Sequence, residues 1–331
     1  MTVHTSVIDV IEDDLVKIHP SILKILLEDK TTYKNIIWAT HDYESLGQFY
    51  YPYYEIRPEQ ITGMHREVIQ PRICKSLSEQ IRRTKNKAEV FTPAWICNYQ
   101  NNLIDEDWFG RKNVFNYEKA KKWKSNPEKI TFPNNKNWKN YIDTRRLEVS
   151  CGEAPYLVSR YDSALGVFIS IKERIGMLDR KMRVLNENAT SKDEWIKWAI
   201  RAFQSVYGFE FQGDSLLLAR ENLLLSFIDY YEDRFNDFPD IALLKKIGNI
   251  ISWNLWQMDG LNYQIPYPND RKHQIQTNIL EELDDSHLRL SNTKQLKKLN
   301  EYNPQIKCRI FDWRSNCSLE FESLFKANKN N

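Results

Sequence analysis

The stretch Leu147-Glu148-Val149-Ser150-Cys151-Gly152-Glu153-Ala154-Pro155-Tyr156-Leu157 decides the fold. Leu147-Glu148-Val149 reads as a short strand that runs into a turn at Ser150-Cys151-Gly152. The glycine there lets the backbone approach a ligand closely. Downstream, Phe168, Ile171, Ile175, Leu178 and Met182 recur at spacings of three and four, the period of an amphipathic helix. Ser191-x-x-Glu194 is a capping box for a second helix, with Trp195, Trp198, Ala202 and Phe203 facing inward. Residues 206–211 read as a second strand, 216–230 as a third helix, 250–257 as a third strand and 305–313 as a fourth. Strands alternating with helices of this length imply parallel pairing, so the expected class is α/β with a doubly wound sheet.

Upstream, residues 21–28 after Pro20 look helical and 76–87 read as a basic helix. Thr92 is placed to cap a further helix with Pro93 in its first turn, which would put Ile96, Tyr99 and Leu103 on one face. No fixed-period repeat occurs. The chain divides into a mixed, helix-rich N-terminal extension at 1–87 and a main domain at 88–331. Within the main domain, residues 111–140 hold nine Lys or Arg and two acids, interleaved with Phe115, Tyr117, Trp123, Phe132 and Trp138. Two readings stay open for this insertion: a surface for nucleic-acid backbones and bases, or a solvated, Asn-rich connection.

The whole chain has 331 residues, 13% of them aromatic and only 10 of them Gly, with a formal net charge of +2. That balance forces neither an acidic nor a basic partner, and the apolar content excludes disorder as the main state. No window approaches 18 consecutive apolar residues, and the first residues lack a basic stretch before an apolar run. Neither a membrane span nor a signal peptide is expected. The five cysteines form no C-x-x-C pair, and Cys308 and Cys317 have no histidine between them, so a metal site is not expected. Free thiols in a reducing cytoplasm are the expectation. His-Glu-x-x-His and phosphate-loop patterns are also absent.

In sheets of this class the ligand lies beyond the carboxyl ends of the strands. Glu210 closes the second strand, where a carboxylate can accept from both ribose hydroxyls. Asp259 follows the third, where it can accept from an adenine amine. With Gly152 after the first strand, the order describes an adenosine site.

These residues resemble the motifs of adenine-N6 DNA methyltransferases from restriction–modification systems. Ala88-Glu89-Val90-Phe91-Thr92-Pro93 is similar to the family segment that contacts the methionine end of S-adenosylmethionine. Residues 148–157 resemble the cofactor turn, Gly208-Phe209-Glu210 with Ala219-Arg220-Glu221-Asn222-Leu223 the second-strand acid and its helix, and residues 254–261 the third cofactor motif. The likeness covers about residues 82–325. It implies a Rossmann-like methyltransferase sheet binding S-adenosylmethionine through Phe91, Thr92, Pro93, Glu148, Cys151, Gly152, Glu210 and Asp259. Double-stranded DNA is the implied partner. The DNA-contact candidates are Arg82, Arg83, Lys85 and Lys87 before the Thr-Pro segment, for which a solvated helix face is an equal reading, and Lys121, Lys122 and Lys124 in the insertion.

Two departures qualify the resemblance. Ala154 stands where the family has its second turn glycine; it is tolerable if φ there is negative, but it narrows the approach to the methionine carboxylate. The catalytic polar-Pro-Pro-aromatic motif has no counterpart, since the chain contains no Pro-Pro pair. The sheet is therefore expected to be incomplete at its C-terminal end. The polypeptide is expected to be a truncated product or half of a split enzyme, inactive alone, with a second polypeptide supplying the catalytic motif and the target-recognition domain. A non-catalytic DNA- or partner-binding subunit with the same fold is the alternative.

Overall fold

The computed structural model describes residue 8 and residues 12–87, 92–268 and 306–326. Two short helices come first, α1 (Glu12–Ile18) and α2 (Pro20–Leu27). Pro20 occupies the first position of α2, where its missing N–H is harmless, and the His19 ring accepts from the Ser21 amide at 3.1 Å. A minimal antiparallel pair follows, β1 (Glu28–Asp29) and β2 (Lys34–Asn35). Next come α3 (Leu77–Lys87), α4 (Ala94–Phe109), the antiparallel hairpin of β3 (Asn116–Lys119) and β4 (Lys122–Ser125), and α5 (Trp138–Ile142).

The sheet that organises the molecule has three parallel strands in the order β5 (Arg146–Val149), β6 (Val206–Glu210) and β7 (Leu255–Gln257). Helices α6 (Met177–Asn188) and α7 (Lys192–Gln204) connect the first two strands, and α8 (Gly213–Phe235) and α9 (Ile241–Asn254) the next two. Val206 and Leu255 turn to the face covered by the large core. That core runs from Leu15 to Leu255, so the N-terminal stretch from Leu15 to Ile69 packs into it together with α7, α8 and α9. Phe209 and Trp256 turn to the other face, where they meet Met258, Ile265, Cys308, Ile310 and Phe321. The mixed α/β class expected from the sequence is what is found.

Several expectations need correction. Residues 305–313 do not add a fourth parallel strand. β8 (Arg309–Asp312) pairs antiparallel with β9 (Cys317–Glu320), and this hairpin, followed by α10 (Ser323–Lys326), covers the second sheet face. Ile250 and Ile251 belong to α9, because both bury against the core from a helix capped at Asp240, and only Leu255–Gln257 is strand. The helix expected over 168–182 begins at Met177, after a single turn at Ile171–Glu173.

Helix α4 is the instructive case. Tyr99 and Leu103, on the apolar face expected with Ile96, are 50% and 48% exposed, whereas Asn98, Asn101 and Asp105 are buried. The buried Arg180 reaches across from α6 to Asp105 at 2.6 Å and to the Asn98 and Asn102 side-chain oxygens at 2.9 and 2.7 Å. A charge-assisted network of this kind sets which face is inside when the apolar pattern is weak. Its first residue is not capped by Thr92; the Ala94 amide donates instead to Asp162 at 3.1 Å. No described helix is long and apolar enough to cross a membrane.

Candidate functional site

The carboxyl ends of β5, β6 and β7 lie along one edge of the parallel sheet, the side on which sheets of this class hold a ligand crevice. After β5 the backbone turns through left-handed residues at alternate positions, Ser150 (φ +51°), Gly152 (φ +53°) and Ala154 (φ +62°). The condition on Ala154 is therefore not met: it adopts the glycine-type conformation with a side chain, and that side chain is fully buried. A methyl added at Gly152 would meet no atom within 4 Å, so open space lies beside that residue.

Glu148 braces the turn from below. Its two oxygens accept from the amides of Tyr156 at 3.2 Å and Leu157 at 3.1 Å. Burial outweighs those two bonds and pushes its carboxyl up to about 8. Glu148 thus shapes the turn. Cys151 packs beneath it: the sulfur lies 3.3 Å from where a Cβ on Gly208 would stand. Burial, with Glu148 and Glu210 nearby, holds the thiol well above its ordinary value. It packs in the core, and a side chain on Gly208 would crowd it.

Glu210 joins the first two strand ends. One oxygen accepts from the Gly152 amide at 2.9 Å, and the other from Phe211 at 2.9 Å and Gln212 at 3.2 Å. Burial pushes this carboxyl upward against the three amide bonds. A carboxylate has about four acceptor positions, so one remains for a ligand hydroxyl. Asp259, beyond β7, is partly exposed, and it folds its own loop by accepting from the Leu261 amide at 2.9 Å and the Asn262 side chain at 2.8 Å.

Thr92 and Pro93 stand beside this turn at the start of α4. The Thr92 carbonyl accepts from Ser163 at 3.3 Å, and the helix is tied to the turn by Asn101, whose amide donates to the Tyr156 carbonyl at 3.1 Å. Phe91 and the Lys87 side chain lie outside the described residues. The structure therefore brings Thr92, Pro93, Glu148, Cys151, Gly152 and Glu210 together, with Asp259 at the far end of the crevice.

The basic candidates separate. Arg82 and Lys85 lie exposed on α3, Arg82 reaching Asp42 at 3.1 Å. Arg83 does not share their face. It is 1% exposed and bound to Asp214 at 2.8 Å and Asp42 at 3.2 Å, so it is removed from the DNA-contact set. Against the upward push of burial, Arg83 and Lys75 hold the Asp214 carboxyl well below the usual range. Lys121, Lys122 and Lys124 are exposed on the β3–β4 hairpin.

Sequence reasoning missed Gln257 and the role of Arg220. The Gln257 side chain imitates a strand: it accepts from the Ile37 amide at 2.9 Å and donates to the Ile37 carbonyl at 2.8 Å. Ile37 also lies over Gly213, where a Cβ would stand 2.0 Å from the Ile37 carbonyl oxygen. The segment around Ile37 thereby walls the crevice at β7. Arg220, fully buried, donates to the carbonyls of Leu255 at 2.7 Å and Glu28 at 3.0 Å, and also to that of Leu26. It ties α2 to the end of α9. Only the glycine that opens α8 and an arginine within the largely buried length of that helix hinted at these contacts.

On the other sheet face, a cleft of about 190 Å³ opens between Leu147, Tyr207, Trp256, Phe321 and Leu324. Compared with family models, with curated proteins and with solved structures, the chain matches none.

Proposed function

We propose that this chain is the S-adenosylmethionine-binding part of an adenine-N6 DNA methyltransferase of the restriction–modification type, with a Rossmann-like methyltransferase sheet. One observation carries the reading: the Glu210 carboxylate sits against the Gly152 amide at the ends of two adjacent parallel strands, and Asp259 stands at the end of the third. An acid there with one acceptor position left suits a ribose hydroxyl, and the open space beside Gly152 suits a ligand lying along the turn. Thr92 and Pro93, held against the same turn, suit the methionine end. Of the residues present, Gly152, Glu210 and Asp259 suit the cofactor, while the left-handed Ala154 departs from the turn of the family that the chain resembles. Bound there, the cofactor would supply an electrophilic methyl group. The chain's own residues orient the ribose (Glu210), the adenine (Asp259) and the turn itself (Glu148).

The sequence holds no polar-Pro-Pro-aromatic motif to accept hydrogen bonds from a target amine and stack on a flipped base. The reading therefore leaves that part to a further segment or a partner and predicts no methyl transfer by these residues alone. Support for such a partner comes from β5, whose outer edge pairs with no described strand and whose Leu147 and Val149 are 43% and 64% exposed. The same edge also supports a non-catalytic partner-binding subunit. Five free thiols, three of them buried, suit a reducing cytoplasm.

Calorimetry with S-adenosylmethionine tests the reading. Wild type should bind, and Glu210→Ala should abolish binding. Asp259→Ala, on a partly exposed loop and so safe for folding, should weaken it roughly tenfold, the worth of one hydrogen bond. No heat at millimolar cofactor would sink the assignment.

A further inference from the structure

The β3–β4 hairpin is chemically two-sided. Its register sets Asn116 opposite Ser125, Tyr117 opposite Lys124, Glu118 opposite Trp123 and Lys119 opposite Lys122. Alternate pairs share a face. Asn116, Glu118, Trp123 and Ser125 form the inner one, and all four are tied down. The Asn116 and Glu118 side-chain oxygens accept from Asn98 at 3.0 and 2.7 Å and from Asn102 at 2.9 and 2.8 Å. Trp123 donates to the Glu173 carbonyl at 2.7 Å, and the Ser125 amide to the Glu173 carboxylate at 2.9 Å. The hairpin is bolted to α4 on one strand and to the turn before α6 on the other.

Tyr117, Lys119, Lys122 and Lys124 make up the outer face, all exposed. Lys119 stands directly opposite Lys122, and like charges so placed destabilise a hairpin. Among the described residues no acid forms an ion pair with Lys119, Lys121, Lys122 or Lys124. The turn is also one that glycine would favour, with Ala120 at φ +49° and Lys121 at φ +62°. At this tip the Lys121 ammonium lies 5.2 Å from the ring centre of Trp95, three residues after Thr92. An unneutralised cationic face on a rigid support therefore lies beside the start of α4.

From this arrangement we infer that the outer face of the hairpin holds the phosphate backbone of duplex DNA beside the methyl-donor end of the crevice. The inference rests on the methyltransferase reading for the choice of DNA and deepens it by naming the gripping element. Lysines two apart on a strand are separated by about 6.6 Å, close to the through-space separation of successive phosphates on one strand of the duplex. A phosphate ladder thus neutralises Lys122 and Lys124 together and relieves the Lys119–Lys122 opposition. Tyr117, opposite Lys124 on the same face, supplies a flat ring against a sugar or base edge.

The test is the salt dependence of binding to a mixed-sequence duplex, read by fluorescence anisotropy. Each phosphate-bound lysine contributes about 0.9 to the slope of log affinity on log salt. The triple variant Lys119→Gln, Lys122→Gln, Lys124→Gln should lower the slope by about 2 to 3. A control with the same charge change at exposed sites elsewhere, Lys24→Gln, Lys34→Gln, Lys197→Gln, should leave it unchanged. Equal slopes for the two variants would overturn the inference. So would an absence of salt-dependent binding by wild type, or tighter hairpin-dependent binding to anionic lipid vesicles than to DNA. Calorimetry with S-adenosylmethionine should be unaffected in the hairpin variant. Hairpin-dependent DNA binding without cofactor binding would therefore reject the cofactor assignment while leaving the hairpin's role intact.

Discussion

Ala154 combines a left-handed backbone with a buried methyl group. The left-handed conformation costs a side-chain-bearing residue about 1–2 kcal/mol. Replacement by Gly would relieve that strain, but it adds about 0.5–1 kcal/mol of backbone entropy and loses a methyl contact worth about 0.8 kcal/mol. The three effects nearly cancel, which explains why alanine is tolerated. Ala154→Gly should therefore change stability by less than about 1 kcal/mol, whereas Ala199→Gly, equally buried but helical, should cost about 2 kcal/mol. Equal losses in denaturant titrations would show that no strain resides at 154. Glu148 gives a pH-dependent counterpart. An acid raised from its ordinary value to about 8 by burial adds stability that is fully present below about pH 4.5 and is lost as the pH climbs through 8. Glu148→Gln cannot titrate, and Glu210 titrates in both proteins and so cancels. The stability advantage of wild type over Glu148→Gln should be largest near pH 5 and should shrink by about 1 kcal/mol per pH unit toward pH 8. A gap that stays constant over this range would place Glu148 in contact with water.

Elements were legible in the sequence where one local rule dominated. The Ser191 cap opens α7 as expected, its hydroxyl accepting from the Glu194 amide at 3.2 Å, and β5 and β6 fall within a residue of their expected bounds. Legibility failed where a long-range polar contact overrode the apolar period. In α4 the decisive partner, Arg180, lies 75 residues from Asp105, and no local pattern announces it. In α9 the run Ile250-Ile251 looks like strand, yet Ser252 and Asn254 fix it as a helix end: the Asn254 amide donates to the Phe203 and Val206 carbonyls at 2.9 Å. The candidate site shows the same split. Gly152, Glu210 and Asp259 could be placed at strand ends from their order alone. That Glu148 turns inward to hold the turn, and that Arg83 is sequestered by Asp214, depended on contacts 9 and 131 residues apart.

At the scale of the whole molecule, the sheet is asymmetric. β7 is walled by Ile37 through Gln257, whereas β5 has a described neighbour only on its inner side. In a parallel pair alternate residues bond to the same neighbour. The Arg146 amide donates to the Ser205 carbonyl at 2.9 Å, so the Arg146 and Glu148 peptides turn toward β6, and those of Leu147 and Val149 turn outward. Natural sheet edges are usually blunted by lysine, proline or a bulge. This one presents Leu147 and Val149, beside a cleft that would accept an apolar side chain. Hydrogen exchange resolves whether the edge is free. The amides of Leu147 and Val149 should exchange at rates close to those of unstructured peptides, while those of Arg146 and Glu148 should be protected by the ladder to β6. Exchange rates report the backbone pairing itself, independently of any effect of substitution on folding. Should all four amides be protected in the isolated protein, this chain already covers its own edge, and the support β5 gives to a second polypeptide is withdrawn. Fast exchange at Leu147 and Val149 alone would leave a strand-shaped vacancy that an added strand is suited to fill.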